Sequence, residues 1–413
     1  MSARHILRNT VFRRLTVTTF TNELSQAMAY VVIPLLVLAQ GGSATAAGGV
    51  VFIYTATGIL SQLLSGAIVD RRDASGILRI SSLMQALSWT VIAVALIGDS
   101  LSIGLLATLL AISSACASLS APSEHALVQR VVPVTEYGAA NSVMQGREAT
   151  ANLLGGPIGG ALFGINMALT LIIQASLHFI ATAVCPRVAT SGKEATRQST
   201  SFFTSVLAGF RLVWRNRGLR SIVGIAALIN LPLAMQPLAM IAYYESTGRS
   251  PLEIGIYSAS MGVGVLLGAP IAGRIADRWS IARLGISSLA TLAVAFTGIS
   301  LTYSSLPLSS LISCIGGLGL PAFNAALGGY TMAVTPDDRI GSVVAASGVP
   351  GMILMPLGAL LGGILFDVIG VWATLTLVAI LAAIPAALTI VLPSFRRLST
   401  LSNESSKDTG HTT

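Results

Sequence analysis

Residues 66–72 read Gly-Ala-Ile-Val-Asp-Arg-Arg, and residues 273–279 read Gly-Arg-Ile-Ala-Asp-Arg-Trp. The two copies stand 207 positions apart, and each closes a long apolar stretch with an acid followed by a base. At the same offset, Arg8-Asn9 and Phe12-Arg13 recur as Arg215-Asn216 and Leu219-Arg220. Pro157-Ile158-Gly159 recurs as Pro356-Leu357-Gly358 at an offset of 199. Three matches in one order, each at the same place relative to the apolar stretches, describe a duplicated unit.

The repeated unit is built for lipid. Of the 413 residues, 53% are hydrophobic and 10% charged, whereas a soluble domain carries about 25% charged residues. Windows of roughly 20 apolar residues, the length a spanning helix needs, fall at about 15–38, 46–69, 77–97, 101–123, 139–163, 166–186, 219–243, 253–276, 283–303, 307–331, 341–365 and 369–392. The first window follows basic residues as a signal peptide would. Its length and its Asn22, Glu23 and Gln26 make it a retained helix. The fold class expected is therefore an all-α membrane protein, with twelve transmembrane helices in two pseudo-symmetric six-helix bundles.

The charges check that map. With twelve spans, 22 of the 24 Lys and Arg residues lie on the side that holds both termini; the exceptions are Arg147 and Arg249. The positive-inside rule makes that side cytoplasmic, in a plasma or inner membrane. The same rule explains the formal charge of +8 without nucleic acid. The domains expected are an N-terminal bundle at 1–186, a cytoplasmic linker at 187–218, a C-terminal bundle at 219–395 and a disordered tail at 396–413. In the linker, Phe203, Val206, Leu207, Phe210, Val213 and Trp214 recur at helical spacing beside Arg211, Arg215 and Arg217. This pattern suggests an amphipathic helix on the membrane surface.

The loops quoted first resemble the signature loop of the major facilitator superfamily, G-x-x-x-D-R followed by further basic residues. Residues 155–160, Gly-Gly-Pro-Ile-Gly-Gly, resemble the core of the Gly-Pro motif of superfamily exporters, with Asn152 where the upstream glycine is expected. The phrases at 132–141 (VPVTEYGAAN) and 211–219 (RLVWRNRGL) resemble the macrolide-efflux-type branch of drug/proton antiporters. The resemblance implies alternating access between two bundles and two cytoplasmic latches. One latch would use Gly66, Asp70, Arg71 and Arg79; the other would use Gly273, Asp277, Arg278 and Arg283. It also implies a small-molecule substrate, protons as the coupled partner, a proton gradient in place of any cofactor, and a monomer in the bilayer. Many superfamily exporters carry an Arg within span four, and here none lies between Leu101 and Ser123. Proton coupling therefore rests on the resemblance.

The residues themselves point to sites. An unpaired charge at mid-bilayer costs at least roughly 2.5–3.5 kcal/mol, so Glu23 in span one and Arg147 and Glu148 in span five stand out. Glu23 and Arg147 lie at the same depth, about 13 Å from the cytoplasmic edge at ~1.5 Å per residue, and are expected to pair for proton coupling or substrate binding. Gly156, Pro157, Gly159 and Gly160 in span five, with Pro356, Gly358, Gly362 and Gly363 in span eleven, mark thin helix faces for close contact between moving halves. Pro232 and Pro237 suggest an irregular span seven lining a cavity. Asn22, Gln26, Asn230 and Gln236 are the cavity candidates, and Met28, Met235 and Met240 are adaptable apolar contacts. The few fixed charges favour a lipophilic cargo.

Cys116, Cys185 and Cys314 are isolated, and the four His are scattered, so neither a disulfide framework nor a metal site is implied. No HExxH, GxSxG or nucleotide-binding loop occurs, which speaks against an enzyme or an ATP-driven pump. The function expected is export of a drug, siderophore or natural product. Proton-coupled uptake of a nutrient is the alternative, and a non-transporting receptor or scaffold is the rival from another class.

Overall fold

The computed structural model describes residues 6, 8–188, 202–275, 278–336, 339–396 and 398, with backbone alone for Ala67 and residues 202–206. Asp277, the polar first part of the linker and the tail beyond Leu398 fall outside the described residues. Every regular element among the described residues is a helix.

In chain order these are α1 (Thr10–Ala39), α2 (Ala44–Asp70), α3 (Ala74–Ile97), α4 (Ile103–Ala117), α5 (Ser120–Val131), α6 (Tyr137–Ile165) and α7 (Met167–Val184). Then follow α8 (Phe202–Arg215), α9 (Arg217–Ser246), α10 (Pro251–Ile275), α11 (Ile281–Thr302), α12 (Leu306–Gly317), α13 (Leu320–Ala333), α14 (Ile340–Val391) and α15 (Pro393–Arg396). The starts are set by polar side chains that accept from otherwise orphaned backbone N–H groups. Asn9 caps α1, Ser43 caps α2, Asp73 caps α3, Asn166 caps α7 and Ser280 caps α11.

Among the described residues, ten helical stretches are long and apolar enough to cross a membrane. Four features depart from the simple window reading. The fourth window bends at Ser118-Leu119, so α4 passes into α5 and the helical path runs on to Val131. The tenth bends likewise at Leu318-Gly319, where Pro321 opens α13 without a donor to lose. The last two windows form one 52-residue run broken at Gly370, whose φ of 78° and ψ of 171° only glycine adopts readily. Span seven was expected to be irregular, yet α9 runs unbroken through Pro232 and Pro237.

The chain divides into two compact units, one of residues 1–198 with 244–259, the other of 199–243 with 260–413. In the first, α1 packs along α6 and α7, α3 along α7 and α4, and α2 along α4. Phe12, Leu15, Val69, Leu78, Leu127 and Cys185 close one end of this unit as an apolar cluster. In the second, α11 packs along α14 and α12, and α8 lies against α14. Gly209 of α8 abuts the Ser342 carbonyl and Val213 is buried, so much of the linker helix's apolar face is turned to protein. Leu207, Arg211, Trp214 and Arg215 stay exposed. Long apolar side chains such as Leu60, Val94, Ile97, Val294 and Val368 are also exposed, at 62–73% for the last four and Leu60 together. This is a surface that only lipid solvates well. The chain is a membrane protein.

Candidate functional site

Within the first unit, α1, α5 and α6 bring three ionisable groups to one point. Arg147 lies in the α1-facing stripe of α6, with Ala151, Gly155 and Gly159 above it at helical spacing. Its guanidinium meets Glu23 two ways, Nη2 to Oε1 at 2.7 Å and Nε to Oε2 at 3.0 Å. It also meets Glu124 two ways, Nη1 to Oε1 at 2.5 Å and Nη2 to Oε2 at 3.0 Å. Thr19 lies against the Arg147 guanidinium and against Glu124 Oε1. The Arg147 and Glu124 side chains are each 6% exposed, and Glu23 is 28% exposed. Planar, bidentate pairing on two edges is what a guanidinium offers and an ammonium does not. With both acids ionised the cluster carries one negative charge; one bound proton makes it neutral.

Beside the cluster, Asn22 is 1% exposed and spends its amide inside the unit. Its Nδ2 donates to Ser82 Oγ at 2.8 Å, and Ser82 donates onward to the Leu78 carbonyl. Its Oδ1 must therefore accept from His178 Nδ1, 2.8 Å away. This chain of donors fixes the His178 proton on Nδ1 and leaves Nε2 buried without a partner.

The glycines of α6 serve two neighbours. Gly155 and Gly159 take the backbone of α1 at Ala27 and Met28, where a Cβ on Gly159 would stand 3.3 Å from Met28 Cα. Gly156 and Gly160 take the start of α10, at the Gly255 and Pro251 carbonyls. In the second unit, Gly358 and Gly362 receive Leu231 and Met235 of α9, with a would-be Cβ 2.5 and 2.6 Å from their carbonyl oxygens. The α6–α1 and α14–α9 seams are thus built alike, and Gly363 is buried beside the latter.

The Major Facilitator Superfamily model matches residues 15–244 and again 223–411, so that both halves of the repeat are recognised separately. This chain belongs to the major facilitator superfamily. Its relatives include the multidrug efflux pump Tap of Mycolicibacterium fortuitum, 27% identical over 89% of this chain and 92% of that protein. Macrolide efflux protein A of Streptococcus pyogenes is 22% identical over 74% of this chain and 77% of that one. Among solved structures, the nucleoside transporter NupG superposes with a TM-score of 0.70 at 14% identity, covering 94% of this chain and 100% of NupG. A bacterial homologue of the human lysosomal transporter Spinster, in an inward-facing and unoccupied conformation, superposes with a TM-score of 0.70 at 14% identity, covering 96% of this chain and 97% of that one. The protein is a transporter of that superfamily.

For this superfamily member the other sequence-derived residues fall in varied settings. Gly66 has open space around it, and Asp70, Arg71, Arg278 and Arg283 are exposed. Gly273 is likewise open, while Asp277 lies outside the described residues. Arg79 is turned to α7, where Nη2 donates to the Cys185 carbonyl at 2.9 Å. Glu148 is exposed, on a different face of α6 from Arg147. Asn22 was expected at a cavity and is instead an internal hydrogen-bonding residue; its neighbour Gln26 is half-buried. Gln236 is buried. Met28, Met235 and Met240, expected as cargo contacts, are fully buried and pack the core, two of them against the glycine seams. Asn230 does line a cavity of about 240 Å³ in the second unit, with Leu233, Phe323, Asn324 and Leu327. Glu124 and His178 are the residues the sequence reading passed over.

Proposed function

We propose that this protein exports a small lipophilic molecule in exchange for protons, by alternating access between bundles at 1–186 and 219–395 in the plasma membrane. Counting α6 as a span and the run broken at Gly370 as two gives twelve, which keeps both termini cytoplasmic and accounts for the placement of Lys and Arg. The protein acts as a monomer.

The observation that carries the reading is the Glu23–Arg147–Glu124 cluster. Two acids share one base in a low-dielectric interior, where repulsion between the acids and the cost of a net charge both fall when one proton binds. Glu23 is the more exposed acid and is the one assigned to exchange the proton. Loss of its charge frees one edge of the guanidinium, which couples protonation to the α1–α6 seam. The cavity at Asn230, apolar with two amides, suits a neutral cargo with a hydrogen-bonding edge. The efflux relatives support the outward direction, and a macrolide is the first cargo to try.

The test is uptake of a macrolide and of other lipophilic drugs into inside-out vesicles under an imposed proton gradient. Intact protein is expected to accumulate cargo only with the gradient. Glu23→Gln is expected to abolish accumulation while drug binding, measured separately, persists. If Glu23→Gln still accumulates cargo against its gradient, Glu23 is not the coupling group.

A further inference from the structure

Where α1 and α3 begin and α7 ends, Arg14, Arg79, Arg187, Thr182 and Ala183 line a cavity of about 350 Å³. The immediate role of two of these arginines is plain. Arg14 Nε donates to the Val184 carbonyl and Arg79 Nη2 to the Cys185 carbonyl, both at 2.9 Å, capping the negative end of α7. That role uses one donor of each guanidinium and leaves the rest. Arg79 Nε is buried with no hydrogen-bond partner. Among the described residues no carboxylate pairs with any of the three, and Asp73 spends its oxygens on the Ser75 and Gly76 amides. Among the described residues, three cations converge on one cavity without a paired carboxylate.

The two helices that carry Arg79 and Thr182 also expose apolar side chains. On α3, Ile80 follows Arg79 directly and is 61% exposed, with Leu87, Val91 and Val94 exposed along the same helix. On α7, Phe179 and Ile180 are exposed one turn from Thr182 and Ala183. A cationic hollow beside exposed apolar helix faces fits one kind of molecule.

We propose that this cavity binds the phosphate of an anionic phospholipid, whose acyl chains lie along Ile80, Phe179 and Ile180. A phosphodiester accepts from several N–H donors at once and matches guanidinium geometry. It would give Arg79 Nε an acceptor and offset one of the three positive charges. The leaflet concerned is the cytoplasmic one, which rests on the topology proposed above. The binding itself is read without transport, so a failure of the export reading leaves this test intact.

Full-length protein in neutral detergent is titrated with phosphatidylglycerol, and bound lipid is counted by native mass spectrometry, with phosphatidylcholine and inorganic phosphate as comparators. Saturable phosphatidylglycerol binding is expected. It should weaken at least about tenfold in the double variant Arg14→Gln/Arg187→Gln, since each basic residue near the headgroup contributes to lipid affinity. Arg211→Gln/Arg215→Gln, on α8, is expected to bind like the intact protein. Arg187→Gln alone, beyond the end of α7 and capping nothing, should also weaken binding and guards against misfolding of the double variant. Unchanged affinity in both Arg187 variants, or equal binding of phosphatidylcholine, overturns the proposal. Displacement of the lipid by inorganic phosphate at similar concentration overturns it too, since the site would then take a free anion.

Discussion

Arg147 holds two acids that would otherwise repel each other inside a helical bundle. Replacing it by Met should leave both unpaired and destabilise the protein by about 3–5 kcal/mol, the usual cost of orphaning one side of a buried ion pair. Thermal unfolding in detergent checks this. Arg147→Lys should recover only part of the loss, because one ammonium cannot serve four carboxylate oxygens along two edges. Equal stability of Arg147→Met and intact protein would show that the acids are already neutral without their base. Two of the three charged members of this cluster were legible in the sequence: Glu23 and Arg147 lie at matched depth in facing spans. Glu124 was not. An apolar window ends near Ser123, so composition alone sets Glu124 at its edge. The helical path instead bends at Ser118-Leu119 and continues to Val131, which carries Glu124 into the bundle. Hydropathy measures composition and is blind to a bend.

Among the elements, α6 is long yet is not one of the ten stretches apolar enough by composition to cross a membrane, and its glycines are closely packed. Its glycines on the α1 side have no room for a side chain. Gly159→Leu should therefore disrupt the α1–α6 seam, lowering the amount of folded protein in size-exclusion chromatography and its melting temperature by several degrees. Gly66→Ala is the control, with open space at the added Cβ and a gain in helix propensity of about 1 kcal/mol. It should fold as well as the intact chain or better. The glycine motifs were visible as spacing, and close packing was their natural reading. What spacing alone did not give was the partner of each glycine, since adjacent residues on a helix face about 100° apart. The methionines erred for a related reason: nothing in the sequence separates a Met that lines a cavity from one that fills a seam.

For the whole molecule, the duplication and the charge distribution carried most of the reading, because both are global patterns that tolerate errors in any one boundary. The finer claim is the number of crossings, and it has a direct check. After replacement of Cys116, Cys185 and Cys314 by Ser, single cysteines at Asp99 and Trp279 are probed in intact cells with an impermeant thiol reagent. Asp99→Cys should label from outside, and Trp279→Cys only after the cells are opened. Labelling of both from the same side would mean an even number of crossings between them in place of the five counted.

The alignment of Arg147, Ala151, Gly155 and Gly159 along one stripe of α6 has a mechanical meaning. The ion pairs fix how α6 is turned about its axis, and the glycines fix how closely and at what height it lies on α1. A key with both a notch and a shoulder can neither spin nor slide in its lock. While Arg147 holds Glu23, α1 and α6 must travel as one lever. In the proton exchange proposed for Glu23, the bound proton is what turns the key.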